Sequence, residues 1–173
     1  MTVSASHDAV CSCGQLRVRL AGAPFLVSSC HCLACQRRTG SLFGANSFFK
    51  RAQAAIEGAS KSFRRQADSG NWLDFHFCPD CGSTVYWDHA AGEETVAVAV
   101  GAFADPGFPP PTISVYALRR HPWVVEGFGY DAPSRHVLTV TLADTETAQC
   151  VCQFAERAAN DLRGRERPRL SLE

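Results

Sequence analysis

The sequence lacks an excess of charge of either sign, because lysine plus arginine and aspartate plus glutamate each number 17. No overall field would therefore draw the protein to nucleic acid or to an anionic membrane surface. Internal repeats and low-complexity segments are also missing. The balance of charge makes nucleic acid an unfavoured partner and points to a small molecule instead.

The sequence also lacks a long apolar run and an export signal. Its longest apolar run, residues 96–104, is far shorter than the roughly 20 residues that span a bilayer. Residues 1–10 have neither a basic start nor an apolar stretch. We therefore expect a cytoplasmic protein with no membrane partner, in which the clustered cysteines among the nine are metal ligands rather than disulfides.

What the sequence does have is the composition and period of a mainly β domain. Its 173 residues, 46% hydrophobic and 20% charged, suit one compact domain. Residues 15–20 and 72–77 alternate polar and apolar side chains, as strands with one buried face do. Further short strands are predicted at residues 25–28, 43–49, 61–66, 84–87, 95–101, 112–117 and 136–142. Turn-forming residues separate many of them, which predicts mainly antiparallel sheets.

The spacing of apolar residues changes from the strand period to the helical period towards the C-terminus. Apolar residues recur at helical spacing between residues 148 and 162, which predicts an amphipathic helix over residues 143–164, after a β domain of residues 8–142. The apolar stripe of this helix is expected to pack on the sheet, with a homodimer interface as the alternative. Residues 165–173 are expected to form a flexible charged tail.

Four cysteines form two pairs with the spacing of metal-binding turns: Cys11 with Cys13, and Cys78 with Cys81. In the first pair, alternate side chains of an extended backbone would face the same way. In the second pair, Pro79 fixes a tight turn and Gly82 tolerates the backbone that follows. Each pair offers half of a tetrahedral zinc site, and four thiolates leave no position for substrate. We expect a structural zinc here; ordinary buried cysteines or disulfides are the alternative.

A second group of cysteines lies between the pairs and consists of Cys30, Cys32 and Cys35. Catalytic zinc sites commonly use three protein ligands and leave the fourth position to water or substrate. Three thiolates leave the zinc site with a net negative charge, so the metal should acidify water poorly but accept an incoming thiol as thiolate. The sequence therefore predicts a second, labile zinc that carries the function.

Other ligands and another cofactor are alternatives for the site at Cys30, Cys32 and Cys35. His31 is a candidate fourth ligand, but on extended backbone it would face away from the cysteines on either side of it. His76 is another candidate fourth ligand, but it lies in a predicted strand and is expected to be an ordinary histidine. An iron–sulfur cluster on the three cysteines and a fourth thiolate is a further alternative. Cys150 and Cys152 would point to opposite sides of the predicted helix and are expected to pack.

These motifs resemble the glutathione-dependent formaldehyde-activating enzyme (GFA) family, which includes the domain of centromere protein V. The matching segments, within residues 9–125, are CSCGQLRVRL, SCHCLACQRRTGSLFG, FCPDCGSTVYW, VAVGAFADP and HPWV. The chain departs from the family at residues 109–114, where PPPTIS lacks a histidine often found there, and after residue 130. The resemblance implies a β-tent-like fold of small antiparallel sheets, with one structural and one labile catalytic zinc on the two cysteine groups.

The activity that the resemblance implies is condensation of formaldehyde with glutathione to S-hydroxymethylglutathione, a carbon–sulfur lyase reaction. In this hypothesis the small-molecule thiol or its aldehyde adduct reaches the vacant position of the three-cysteine zinc. Arg37 and Arg38 are predicted to pair with substrate carboxylates, solvated surface arginines being the alternative. No general base is evident from the sequence. The rival hypothesis is a non-catalytic zinc module that binds protein or nucleic acid.

Overall fold

The computed structural model describes residues 6–67, 70–89, 94–125 and 138–139. The strands within these residues are β1 (Ser6–Val10), β2 (Arg17–Ala21), β3 (Leu26–Cys30), β4 (Gly44–Lys50), β5 (Ala54–Glu57), β6 (Lys61–Gln66), β7 (Trp72–Phe77), β8 (Thr84–His89), β9 (Thr95–Ala99), β10 (Ile113–Val115) and β11 (Leu138–Thr139). The α-helix is α1 (Leu33–Thr39), and short 3-10 helices cover Arg51–Gln53, Val100–Phe103 and Ala117–Arg119. The helix predicted at residues 143–164, with Cys150 and Cys152, and the tail predicted at 165–173 lie outside the described residues.

A small antiparallel sheet has the strand order β1-β2-β5. Val18 and Leu20 of β2 are buried and Arg19 between them is exposed, which confirms the alternation predicted for this segment. The strand begins at Arg17 rather than at residue 15, because the chain before it turns. The backbone N–H of Cys11 donates to the carbonyl of Leu16 at 2.9 Å and closes that turn.

A larger sheet has the strand order β11-β10-β3-β4-β9-β8-β7-β6. The neighbours from β3 through β6 are antiparallel, which confirms the prediction of a mainly antiparallel β protein. Strand β10 is the exception, because it runs parallel to both β3 and β11. It reaches the far side of β3 by a crossover from β9, and a crossover can place a strand parallel where a hairpin cannot.

The register of the larger sheet assigns its side chains to two faces. The inner face packs against the small sheet, and this main core includes Phe49, Val96 and Val98 together with Leu16 and the buried side chains of β2. The outer face carries two further clusters. One surrounds Cys30, Cys32 and Cys35, and the other consists of Phe75, Trp87 and Ala97 with partly buried neighbours.

The short helix α1 connects β3 to β4 and was not predicted. The Sγ of Cys32 caps its start by accepting a hydrogen bond from the backbone N–H of Cys35 at 3.3 Å. Gly40 ends it with a left-handed backbone (φ 63°), a conformation that glycine adopts without a steric penalty. A helix of two turns is too short to show a 3.6-residue period of apolar residues. The sequence pattern therefore did not predict this helix. No helix within the described residues is long and apolar enough to cross a membrane.

Candidate metal centres

The first cysteine group, here called the four-cysteine cluster, is built by two turns. Cys11 and Cys13 lie in the turn between β1 and β2, where the Gly14 N–H donates to the Cys11 carbonyl at 2.9 Å and Gly14 has a φ of 84°. The two sulfurs therefore converge because the backbone turns. The expectation that extended backbone would align them was wrong.

The second turn joins β7 to β8 and carries Cys78 and Cys81. The Gly82 N–H donates to the Cys78 carbonyl at 2.9 Å, and Gly82 adopts a φ of 74°, as the Cys-Pro-x-Cys-Gly pattern predicts. The two turns are tied together through serine, since the Ser12 and Ser83 hydroxyls lie 2.8 Å apart and the Ser12 N–H donates to Ser83 Oγ at 3.2 Å.

The sulfur positions of the four-cysteine cluster suit a tetrahedral metal. Cys13 Sγ lies 3.5 Å from the Sγ of both Cys11 and Cys78, and all four sulfurs lie within 4.8 Å of one another. Zinc–sulfur bonds of about 2.3 Å place the sulfurs of a tetrahedral site about 3.8 Å apart. The cluster can therefore bind a metal ion, and its donor set and spacing are compatible with zinc.

Hydrogen bonds from neighbouring residues reach three sulfurs of this cluster. The Leu16 N–H donates to Cys11 Sγ at 3.2 Å, and Gln15 Nε2 donates to Cys78 Sγ at 3.4 Å. The Ser83 hydroxyl and the Ser83 backbone N–H lower the pKa of Cys81 to about 5. Cys11 and Cys78 are buried, whereas Cys13 and Cys81 are exposed. One side of the cluster is thus anchored in the core and the other faces solvent.

The second group, here called the cysteine triad, forms at the junction of β3 and α1. Cys30 ends β3, Cys32 caps α1, and Cys35 lies in the first turn of that helix. Their sulfurs lie within 4.8 Å of one another, and each residue is at most 7% exposed. Ile113 and Val115 of β10 pack against them. Among the described residues, no fourth cysteine, histidine or carboxylate joins the group, so it can hold a metal ion with a position left over.

The triad shares its negative charge unequally. Hydrogen bonds from Cys30 and Cys35 lower the pKa of Cys32, and the backbone N–H of Cys35 and the charge of Arg65 act in the same direction. The pKa of Cys30 is raised by its contacts with Cys32 and Cys35 and by burial. The Cys35 N–H at the start of α1 therefore favours a thiolate at Cys32.

The two histidines considered from the sequence lie outside both groups. The buried ring of His31 packs near Phe43, with ring centroids 5.6 Å apart, and its backbone N–H donates to Val115 at 3.0 Å. His76 Nε2 lies 3.1 Å from Asp88 Oδ2, and its ring stacks on Tyr86 with centroids 4.4 Å apart. Neither imidazole belongs to a group that could hold a metal among the described residues.

The two arginines that follow the triad have different settings. Arg37 is exposed on α1. The guanidinium carbon of Arg38 lies 4.9 Å from the ring centroid of Phe75 and 4.8 Å from that of Trp87. A third arginine, Arg65 of β6, lies 5.2 Å from the same Phe75 ring. The structure therefore brings Arg38 and Arg65 together on the outer face and leaves Arg37 in solvent.

Arg65, Phe75 and Trp87 are features of this region that sequence reasoning missed. Alternation in β6 and β7 indicates which side chains share a face of their own strand, but it gives no register between strands. The register pairs Phe63 with Phe75, and Phe75 with Trp87, which places Arg65 on the same outer face. Only the assembled sheet could show that this face also carries the triad.

Gln36 ties the triad helix to the segment that contains the His-Pro-Trp motif. Its Nε2 donates to the His31 carbonyl at 2.9 Å and to the Arg119 carbonyl at 3.1 Å, and its Oε1 lies 3.2 Å from His121 Nε2. The Thr39 hydroxyl donates to the Cys35 carbonyl at 2.9 Å. These contacts account for Gln36 and Thr39 among the polar residues that follow Cys35.

The model of the family described as glutathione-dependent formaldehyde-activating enzyme matches residues 6–119. The chain belongs to this family. The matched part runs from β1 to the 3-10 helix at Ala117–Arg119 and includes both cysteine groups, so the GFA resemblance stated from the sequence is confirmed.

Other comparisons add little to the GFA assignment. No curated protein is similar enough to this GFA family member to match it. A Rhodobacter sphaeroides protein of known crystal structure is similar at 18% identity, over 60% of this chain and 91% of that chain, with a TM-score of 0.43. Assignment to the family therefore rests on the sequence match and on the cysteines within it.

Proposed function

We infer that the protein is a zinc-dependent enzyme that forms or breaks a thiol–aldehyde adduct, a carbon–sulfur lyase type of activity. The observation that carries this proposal is the cysteine triad, whose three buried thiols have no fourth protein donor among the described residues. Membership of a family named for glutathione and formaldehyde supports glutathione or a similar thiol, and formaldehyde, as substrates.

The proposal assigns one zinc to each cysteine group. Cys11, Cys13, Cys78 and Cys81 would hold a structural zinc with a complete set of ligands. Cys30, Cys32 and Cys35 would hold a second, labile zinc. When bound there, zinc supplies a soft cation that favours the thiolate form of a further sulfur ligand.

The chain itself would supply position and exclude water. β3 and the capped start of α1 fix the three sulfurs, since Cys32 Sγ accepts the Cys35 N–H within the helix. Ile113 and Val115 cover them from β10. An apolar cover strengthens electrostatic interactions at the sulfurs and limits competition from water.

The reaction itself needs little covalent help from the protein. The thiol sulfur forms a bond to the carbonyl carbon, the carbon–oxygen π bond breaks, and the proton lost by the thiol ends on the oxygen. The reverse sequence releases thiol and aldehyde. Most of the rate gain would come from holding sulfur and carbonyl together, and the proposal assigns no general base. A reducing compartment, as predicted from the sequence, would keep the triad thiols competent.

Exchange spectroscopy would test this proposal, because the uncatalysed reaction is itself fast. The exchange rate between formaldehyde and S-hydroxymethylglutathione would be measured by NMR with wild-type protein and with Cys32→Ser. We expect the wild type to accelerate exchange above the buffer rate and Cys32→Ser to lose that acceleration. His76→Gln, which alters a histidine outside both groups, is the matched control and should keep it.

Two results would contradict the proposal. Equal acceleration by wild type and Cys32→Ser would remove the triad from the reaction. No acceleration by wild-type protein carrying two zinc ions, across several thiols and aldehydes, would favour the rival hypothesis of a non-catalytic zinc module.

A further inference from the structure

An exposed apolar surface lies where α1 meets the segment that follows β10. Its side chains are Leu33 of α1, which is 47% exposed, and Leu118 and Trp123, which are 66% and 69% exposed. Gln36, one helical turn after Leu33, donates to the carbonyl of Arg119, the residue after Leu118, at 3.1 Å. Single exposed apolar side chains are normal, but several on adjoining elements favour a partner. We call this surface of Leu33, Leu118 and Trp123 the α1 patch.

Trp123 belongs to the α1 patch because His121 connects it to α1. The rings of His121 and Trp123 have centroids 5.7 Å apart, and His121 Nε2 lies 3.2 Å from Gln36 Oε1. The patch also borders the cysteine triad, since Leu33 directly follows Cys32. A segment seated on the patch would therefore lie beside the triad.

The two segments that carry the α1 patch have charge of one sign. Residues 31–43, which include α1, and residues 113–125, which include β10, contain no aspartate or glutamate. Their basic residues are Arg37, Arg38, Arg119 and Arg120. A partner that fits this surface should therefore combine apolar side chains with a net negative charge.

Residues 143–164 of the same chain have this combination. They lie outside the described residues, and the sequence predicts that they form an amphipathic helix with four acidic and two basic residues. The apolar stripe of this helix comprises Ala148, Val151, Ala155, Ala158 and Leu162. At 3.6 residues per turn, Asp144 and Asp161 fall on or beside this stripe, whereas both basic residues fall away from it.

The course of the chain brings this segment close to the α1 patch. Strand β11 pairs parallel with β10, and parallel neighbours end at the same edge of a sheet. The chain therefore leaves Thr139 beside the end of β10 at Val115, three residues before Leu118. The predicted helix begins four residues after β11, and at 1.5 Å per residue it would be about 33 Å long. That length is ample to lie across α1, which has seven residues.

We propose that residues 143–164 dock as a helix on the α1 patch of the same chain, with their apolar stripe on Leu33, Leu118 and Trp123. Burial of these side chains supplies the apolar contribution, and the acidic residues beside the stripe face the arginines around the patch. The docked helix forms one side of the approach to the cysteine triad. This inference does not depend on the activity proposed above.

Quenching of tryptophan fluorescence by acrylamide would test the docking in the full, zinc-loaded chain. A Trp72→Phe background leaves Trp123 and the buried Trp87, so that quenching reports on Trp123. We expect weak quenching in this background and a severalfold larger quenching constant after Val151→Glu, which places a charge in the stripe. Gln153→Glu is the matched control, because it adds the same charge on the opposite side of the helix and should leave the quenching constant unchanged.

A second measurement leaves the docking segment itself unchanged, and so remains decisive if Val151→Glu prevents the helix from forming. Hydrogen exchange of residues 143–164 would be followed by mass spectrometry in wild type and in Leu118→Glu. We expect Leu118→Glu to speed this exchange about 10-fold or more, because a helix of this length without tertiary packing is marginal in water. Phe63→Glu changes a side chain of β6 that is 61% exposed, and it should leave the exchange unchanged.

Four results would overturn the proposal. The first is equal quenching of Trp123 with and without Val151→Glu, and the second is an effect of Gln153→Glu as large as that of Val151→Glu. The third is unchanged exchange of residues 143–164 in Leu118→Glu. The fourth is shielding of Trp123 that grows with protein concentration, together with a dimer in sedimentation velocity, which would mean that the α1 patch binds a second copy of the chain.

Discussion

The four-cysteine cluster and the cysteine triad use the same ligand in opposite settings. The four-cysteine cluster joins two turns that are far apart in the sequence, and Cys13 and Cys81 in it are exposed. The triad comes from residues 30–35 alone, and all its members are buried. The group with a full set of four ligands is thus the more exposed one, and the group with an incomplete set is the more enclosed.

This contrast indicates how the two groups divide their roles. A metal that links β1–β2 to β7–β8 closes a long loop and so removes much of the conformational freedom of the unfolded chain. A metal on residues 30–35 closes almost no loop and contributes less to folding. In the proposed function, the missing ligand of the triad, rather than exposure to solvent, is what suits it to chemistry.

The largest expected effect comes from removing one ligand of each group. Cys78→Ser should abolish the cooperative fold or lower its stability by several kcal/mol, because structural zinc contributes on the order of 10 kcal/mol to folding. Cys32→Ser should keep a cooperative melt and lose one of two metal ions. Circular dichroism and elemental analysis would measure both. If Cys32→Ser unfolds the protein and Cys78→Ser does not, the division of roles is reversed.

A smaller effect is expected from the backbone that supports the four-cysteine cluster. Gly58 has a φ of 92°, and a Cβ there would lie 2.0 Å from the carbonyl oxygen of Gln15, whose side chain donates to Cys78. Gly58→Ala should cost about 3 kcal/mol or more, combining strain with a backbone clash.

The control for this change is Gly14→Ala. Gly14 has a similar φ of 84° but open space around its missing Cβ, so only the strain of about 1–2 kcal/mol applies. Denaturant unfolding of both zinc-loaded variants would compare them. Equal losses of stability would mean that contact with Gln15 does not hold the cluster.

The smallest expected effect is on how the stability depends on pH, through His89 on the outer face of the larger sheet. The ring of His89 stacks on Phe48, and desolvation lowers the pKa of His89 to about 4, from an ordinary value near 6.5. The unfolded chain therefore binds more protons between these values, and the free energy of unfolding falls as the pH drops through this window. Over the whole window the loss attributable to His89 is on the order of 3 kcal/mol.

His89→Leu should remove this part of the pH dependence. Unfolding of wild type and variant would be followed at several pH values from 7.5 to 4.5, and the difference between the two proteins cancels proton uptake by the cysteines. Parallel curves would show that His89 is protonated equally well in the folded and unfolded chain.

Much of the site could be predicted from the sequence. The two cysteine pairs and the group at 30–35 are short motifs, and the thiolate chemistry of each follows from ligand number. The alternation in β2 and β7 sufficed to predict strands, and the structure confirms a mainly β fold with antiparallel sheets. The geometry of the first turn could not be predicted in the same way, because Cys11 and Cys13 converge through the left-handed backbone of Gly14.

The sequence by itself determined which sulfurs belong together and that one group has four members and the other three. Only the tertiary structure decided what surrounds them. Arg38 and Arg65 meet at Phe75 because strand register, not spacing along the chain, sets which side chains share a face. Local motifs carry local chemistry, whereas the charge and the apolar cover around the triad come from β6, β8 and β10, which reach it only once the sheet is assembled.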